Sequence, residues 1–229
     1  MVLEVVREVW KLFLRRLWRT LVIVALMLAP LELLVLVLDP DFDWVAPGWW
    51  AWVGLTSVVT LVAFPWVIGA VVHDVVDDDR VPAKAYARTF SHLPDLTLSA
   101  LVTTVGIVLG TIALIVPGLI LLARWALVVP LIVLEGARWR VALSRSNELV
   151  RGRTKSVLAI FFLLTVIGLV LVAIPLVVGY SVVGGVLGAW LATLAVDTVF
   201  IAFYSFAPFV LHRRLATSAA TIAAPCGVV

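Results

Sequence analysis

Charge is scarce in this chain. Asp, Glu, Lys and Arg make up 14% of its 229 residues, 64% are hydrophobic, and mean hydropathy is +1.19. Soluble domains carry about a quarter charged residues, and a chain of this size could not hide such an apolar surplus from water. An ordinary soluble fold is therefore excluded. Cysteine is nearly absent: Cys226 stands alone, which rules out an internal disulfide and makes a thiolate metal site untenable. Its setting, "CGVV", superficially matches a prenylation box. Glycine replaces the first aliphatic position, and a polytopic protein gains little from a lipid chain, so it reads as an inert tail residue. There is no GxSxG elbow, HExxH or phosphate-cradling glycine loop, and His92 and His212 lack ligand spacing. Nothing resembles a hydrolase site, no catalytic residue is assigned, and no cofactor is expected. The formal charge of +3 would suggest nucleic acid in a soluble protein. Here the basic residues sit at the ends of apolar runs, so topology explains them and no nucleic-acid partner is expected.

Those runs are abundant. A span needs about 20 apolar residues, and six segments qualify: 20–38, 50–72, 96–116, 119–134, 157–176 and 189–211. The third and fourth are separated only by Pro117 and Gly118. Proline cannot continue a helix and glycine permits reversal, which predicts a tight helical hairpin there. A single kinked helix would be far too long for one crossing. The apolar run at 21–38 exceeds the ~7–15 residues of a signal-peptide core, so no cleavable signal is expected.

Every Lys and Arg except Arg124 falls before span one, between spans two and three, between four and five, or after six. The opposite connections, "DPDFD", "PG" and "VVGYSVVGG", hold none. The positive-inside rule then places both termini in the cytoplasm, in an all-α integral membrane fold of six helices. Trp44, Trp49, Trp50, Trp52 and Trp190 would mark the outer interface. Residues 1–19 and 139–151 are amphipathic. In the first, Glu4, Arg7, Glu8, Lys11, Arg15 and Arg19 oppose Val5, Val6, Val9, Trp10, Leu12, Phe13 and Leu17. Both are expected to lie in the cytoplasmic headgroup layer, basic side to anionic lipid phosphate, with 80–92 a weaker version. Residues 212–229 are expected to be a disordered tail. Short matches, such as "VGIVL" with "IGLVL", hint at a duplicated unit of span, surface segment, span.

A few polar residues fall inside the spans. At 1.5 Å per residue, Arg124, seven residues past Pro117, lies ~10 Å below the outer surface. Glu32, seven residues before Asp39, matches that depth, and Asp197 falls about 7–12 Å down. An isolated Arg in hydrocarbon costs at least ~2.5–3.5 kcal/mol, which predicts a buried cluster of Glu32, Arg124 and Asp197. The alternative is that Arg124 snorkels alone to the outer headgroups. Gly106 and Gly110, and Gly184 and Gly188, have GxxxG spacing. Packing within the chain is the first reading, a homodimer the second. The acidic run "HDVVDDDR" could hold Mg²⁺ against a diphosphate through Asp74, Asp77 and Asp78. A second such run is missing, so a solvated helix end is the plainer reading.

One segment carries a resemblance. Pro117, Gly118, Arg124, Pro130, Glu135 and "ALSRSNELVRG" at 142–152, with Ala142, Arg145, Ser146 and Gly152, resemble the signature of the glycerophosphoryl diester phosphodiesterase membrane-domain family. That family belongs to a broader set of bacterial six-helix membrane proteins of unassigned function. In some members a separate soluble barrel carries the catalysis, and this chain is too short to hold one. The resemblance thus implies a stand-alone domain of a bacterial inner membrane, acting on lipids or beside a partner protein. Read physically, Glu135 would reach Arg138 or Arg145 and fix the corner after span four. Ala142 and Ser146 would let that surface helix approach a span closely. The expected function is a non-enzymatic scaffold, lipid-interacting or membrane-homeostasis module. The alternatives are a small transporter or export/immunity component using the Glu32, Arg124 and Asp197 layer, and a Mg²⁺-dependent lipid-diphosphate enzyme.

Overall fold

A computed structural model describes residues 2–38, 47–77, 82–178 and 185–223, and among these every regular element is a helix. In chain order they are α1 (Val2–Leu38), α2 (Pro47–Asp77), α3 (Pro82–Phe90), α4 (Leu93–Ala113), α5 (Ile115–Arg124), α6 (Val128–Glu135), α7 (Trp139–Val150), α8 (Thr154–Val178) and α9 (Gly185–Ala223). Six stretches are long and apolar enough to cross a bilayer: Val2–Leu34, Gly48–Asp77, Leu93–Ala113, Ile115–Glu135, Thr154–Ala173 and Trp190–Thr217. The multi-pass, all-helical architecture follows from composition. Where water cannot serve the backbone, helices satisfy their own N–H and C=O groups.

Helix α9 is the centre of the bundle and packs against α1, α2, α6, α7 and α8. Its Phe203 and Phe206 are fully buried. Helix α1 is continuous from the predicted surface segment into the predicted span, with a bend at Arg16 (φ −116°, ψ 16°). Much of its apolar face turns inward: Val5, Val9 and Phe13 are buried, and Phe13 packs edge-on against Phe203 at 5.4 Å. Residues 212–223, expected as tail, continue α9 as helix. Leu215 is buried, and Arg213 and Arg214 bind Glu8 and Glu4 of α1, which anchors the extra turns.

The hairpin between α4 and α5 is as tight as predicted, but the chain reverses at Leu114, which is extended (φ −165°, ψ 141°). Pro117 and Gly118 instead occupy the first turn of α5, where a missing N–H costs nothing. The close approach explains the glycine: a Cβ on Gly118 would come within 2.9 Å of the Thr111 backbone nitrogen, and one on Gly110 within 3.1 Å of Gly118. Gly106 makes room for the Trp125 ring, which would lie 2.5 Å from an added Cβ. The Gly106 and Gly110 pair therefore packs α4 against its own neighbour. Gly188 is buried, and Gly184 lies outside the described residues.

The short helices repeat one arrangement, α3 after α2 and α7 after α6. Helix α3 buries Ala85 and Thr89. Its Tyr86 hydroxyl donates to the Ile23 carbonyl at 2.7 Å, and Trp66 of α2 donates to the Tyr86 carbonyl at 3.3 Å. Burial pushes the Tyr86 phenol above its ordinary range, so it stays a donor at any physiological pH.

Candidate functional site

The motif segment 117–152 builds a corner whose parts depend on one another. Pro130 lies in the first turn of α6, and its ring would clash with the carbonyl of Ala126 in an unbroken helix. The helix duly breaks at residues 125–127. A break in a span leaves backbone groups without partners, which is costly where no water reaches. Ser146 of α7 supplies them: its hydroxyl donates to the Arg124 carbonyl at 2.6 Å and accepts from the Leu127 N–H at 3.2 Å. Ala142, Ser146 and Val150 are the buried stripe of α7, and a larger residue at 142 or 146 would hold the helix away. Asp95 of α4 accepts from the Trp139 N–H at 3.1 Å, capping α7 from another element. Gly136 and Gly152 end the neighbouring turns with φ of 62° and 80°, left-handed conformations that suit glycine.

Glu135 closes the corner. It binds Arg145 of α7 at 2.7 Å through one oxygen and His212 of α9 at 3.0 Å through the other. Of the two partners expected from sequence, Arg145 is the one engaged, and His212 was missed. His212 is 77 positions away, so nothing local could have signalled the contact.

A second junction was also missed. Asp74, only 2% exposed, accepts from Arg19 at 2.7 Å and from Arg16 at 3.3 Å, and its carbonyl accepts from Arg16 at 2.7 Å. The bend at Arg16 thus coincides with the residue that ties α1 to α2. Asp77 binds Arg88 at 2.6 Å and approaches His73 at 3.4 Å. The Mg²⁺ reading of this run loses two of its three carboxylates to structural cations, and Asp78 lies outside the described residues. Among the described residues no group of three or more metal-binding side chains forms.

The charged layer is divided. Glu32 of α1 and Asp197 of α9 bring their carboxyl groups within hydrogen-bonding reach of each other. Arg124 is not with them. Helix α5 packs on α4, α7 and α8, whereas Glu32 and Asp197 sit on the packed pair α1 and α9. Matching depth along three spans did not place the three on one side of the bundle. Arg124 is exposed and makes no ion pair among the described residues.

All these features define a multi-pass, all-helical membrane domain built around a broken fourth span. Residues 89–219, more than half of the chain, match the family model for the membrane domain of glycerophosphoryl diester phosphodiesterase. The chain belongs to that family. Neither a curated protein nor a solved structure matches it.

Proposed function

We propose that the chain is a non-enzymatic, lipid-interacting module of the bacterial inner membrane, with both termini cytoplasmic and its basic end set against anionic headgroups. The observation carrying this is the outward face of the first half of α1. Arg7, Lys11 and Arg15 are exposed and form no ion pair among the described residues, while Leu3 and Trp18 on the same helix are 72% and 78% exposed. Cations interleaved with aliphatic and aromatic side chains suit the boundary between phosphate and acyl chain. Each such cation contributes about 1 kcal/mol toward an anionic leaflet. Val5, Val9 and Phe13 of the apolar face are buried in the bundle, which leaves the basic face to meet the headgroups.

The full chain in mixed phosphatidylglycerol and phosphatidylcholine nanodiscs tests the proposal, with retained lipids counted by native mass spectrometry. Phosphatidylglycerol should be enriched, by about fivefold per charge, and Arg7→Gln, Lys11→Gln and Arg15→Gln together should erase the enrichment. Equal retention of the two lipids by the unaltered chain would overturn the reading. So would Mg²⁺-dependent turnover of a lipid diphosphate that disappears in Asp77→Ala.

A further inference from the structure

A pocket of about 620 Å³ opens among the middles of the spans, walled by α2, α4, the broken fourth span, α8 and α9. None of its lining residues is charged. Its polar lining is entirely hydroxyl but for the Trp125 indole: Thr56, Ser57 and Thr60 from α2, Ser99, Thr103 and Thr104 from α4, and Tyr204 from α9. The rest of the wall is apolar, including Phe64, Leu122 and Phe161.

Three properties narrow what could enter. First, Ser57, Thr60 and Thr104 are exposed, and on the same helices Leu55, Val58, Leu101 and Val105 are exposed apolar residues inside the candidate spans. The mouth therefore faces acyl chains, and an occupant comes from the lipid phase. Second, an ionised group here would lose its hydration with no countercharge among the lining residues, which disfavours fatty acids and phospholipid heads. Third, the hydroxyls offer both hydrogen-bonding senses. Thr56 and Ser57 donate to the Val53 carbonyl at 3.1 and 2.6 Å, Ser99 to Leu96 at 2.8 Å and Thr103 to Ala100 at 3.0 Å. The oxygens of Ser57, Ser99 and Thr103 keep lone pairs that can accept. The Tyr204 hydroxyl makes no hydrogen bond among the described residues, so it can donate, and its ring is fixed between Phe161 and Phe200 at 5.4 and 5.7 Å. A ketone or ester head could only accept. A hydroxyl head answers both senses.

We propose that this pocket binds a single-chain neutral lipid alcohol drawn from the bilayer, such as a long-chain alcohol or monoacylglycerol, with its head on the hydroxyl side chains and its chain on the aromatic wall. The volume falls in the ~300–1,000 Å³ range of sites for one small ligand, which suits one chain and a small head. The motif corner shapes this wall, because the break that Ser146 satisfies turns Trp125 toward Gly106 and the pocket. The site is separate from the basic face of α1, so either can fail alone.

The test uses the full chain in phosphatidylcholine nanodiscs with a photoactivatable long-chain alcohol, labelled peptides being mapped by mass spectrometry. Label should fall on α2 and α4 around 56–60 and 99–107, and unlabelled hexadecanol or monoacylglycerol should compete at least tenfold better than ionised palmitate or diacylglycerol. Ala100→Phe should fill the pocket and abolish labelling with the melting temperature retained. Tyr204→Phe, which keeps the ring, should weaken competition about three- to tenfold. Should Ala100→Phe fail to fold, Thr60→Leu at the mouth gives the same readout. Labelling untouched by Tyr204→Phe and by either filling variant would overturn the proposal, as would palmitate or diacylglycerol competing as well as the alcohol.

Discussion

At the basic end of the bundle, polar side chains reach across the sequence: Asp74 to Arg16 and Arg19, Glu135 to His212, Glu8 to Arg213 and Arg214. Within the spans many hydroxyls do the opposite. Ser57, Ser99, Thr103, Thr111, Thr165 and Ser205 all donate three or four residues back, to carbonyls of their own helices. The contrast follows from the surroundings. Near water, a charged pair can join two helices without bearing the whole cost of dehydration, whereas at mid-bilayer a hydroxyl is safest bonded locally. The basic end is therefore stapled by several ion pairs, whereas the middle relies mainly on packing, with Ser146 at the break in span four an exception. Helices joined mainly by packing can leave a pocket between them.

The comparison is most exposed at Asp74. Replacing it with Leu leaves Arg16 and Arg19 without the carboxylate that sits between them, and removing one partner of a buried pair typically costs about 3–5 kcal/mol. Arg19 is 38% exposed, which tempers this to roughly 3 kcal/mol. Reversible unfolding in mixed detergent micelles would measure it. A loss below about 1 kcal/mol would mean that the stapled end is no more dependent on its charges than the middle.

Ser146→Ala sharpens the comparison from the other direction, since the Ser146 hydroxyl bonds across elements rather than along its own helix. The change removes only the hydroxyl, without enlarging the side chain, and it strands the Leu127 N–H and the Arg124 carbonyl. Leaving buried backbone groups unsatisfied costs about 1–3 kcal/mol, so a loss near 2 kcal/mol is expected, with faster hydrogen exchange at Leu127. Ser99→Ala, which removes a hydroxyl that returns to Leu96 on its own helix, should cost well under half as much. Equal losses would erase the distinction between local and cross-linking hydroxyls. Gly106→Ala comes next, at about 1 kcal/mol from crowding the Trp125 ring, and its intrinsic Trp emission should shift.

How far the sequence foretold this depended on whether the signal was local. The six apolar runs are local patterns, and the structure places helices on them, with a reversal between the third and fourth that falls at Leu114 rather than at the expected Pro117 and Gly118. Depth was legible too, since it needs only a count along one helix, and it put Glu32 and Asp197 level. Azimuth was not. Whether Arg124 points toward that pair depends on how α5 packs around the bundle, and no count along the chain contains it. The same limit hid Asp74 with Arg16 and Arg19, whose partners lie 58 and 55 positions away. The break before Pro130 was not anticipated, since 119–134 reads as one apolar run and the hydroxyl that satisfies the break comes from Ser146, sixteen residues later.

The smallest effect belongs to Arg88, and its smallness is the point. Arg88 binds Asp77 at 2.6 Å, as short as any ion pair at the basic end whose geometry is ordinary, yet the two side chains are 48% and 36% exposed. Exposed pairs contribute about 0–1 kcal/mol because water and salt screen both charges. Arg88→Ala should therefore cost no more than about 0.5 kcal/mol, and the difference should fade as ionic strength rises toward 1 M. Asp74→Leu should keep most of its effect under the same salt, since its pair is shielded. If instead Arg88→Ala matched Asp74→Leu, bond length rather than burial would decide what a staple is worth, and the stabilising role assigned to the buried junction at the α1 bend would have to be shared with the surface around it.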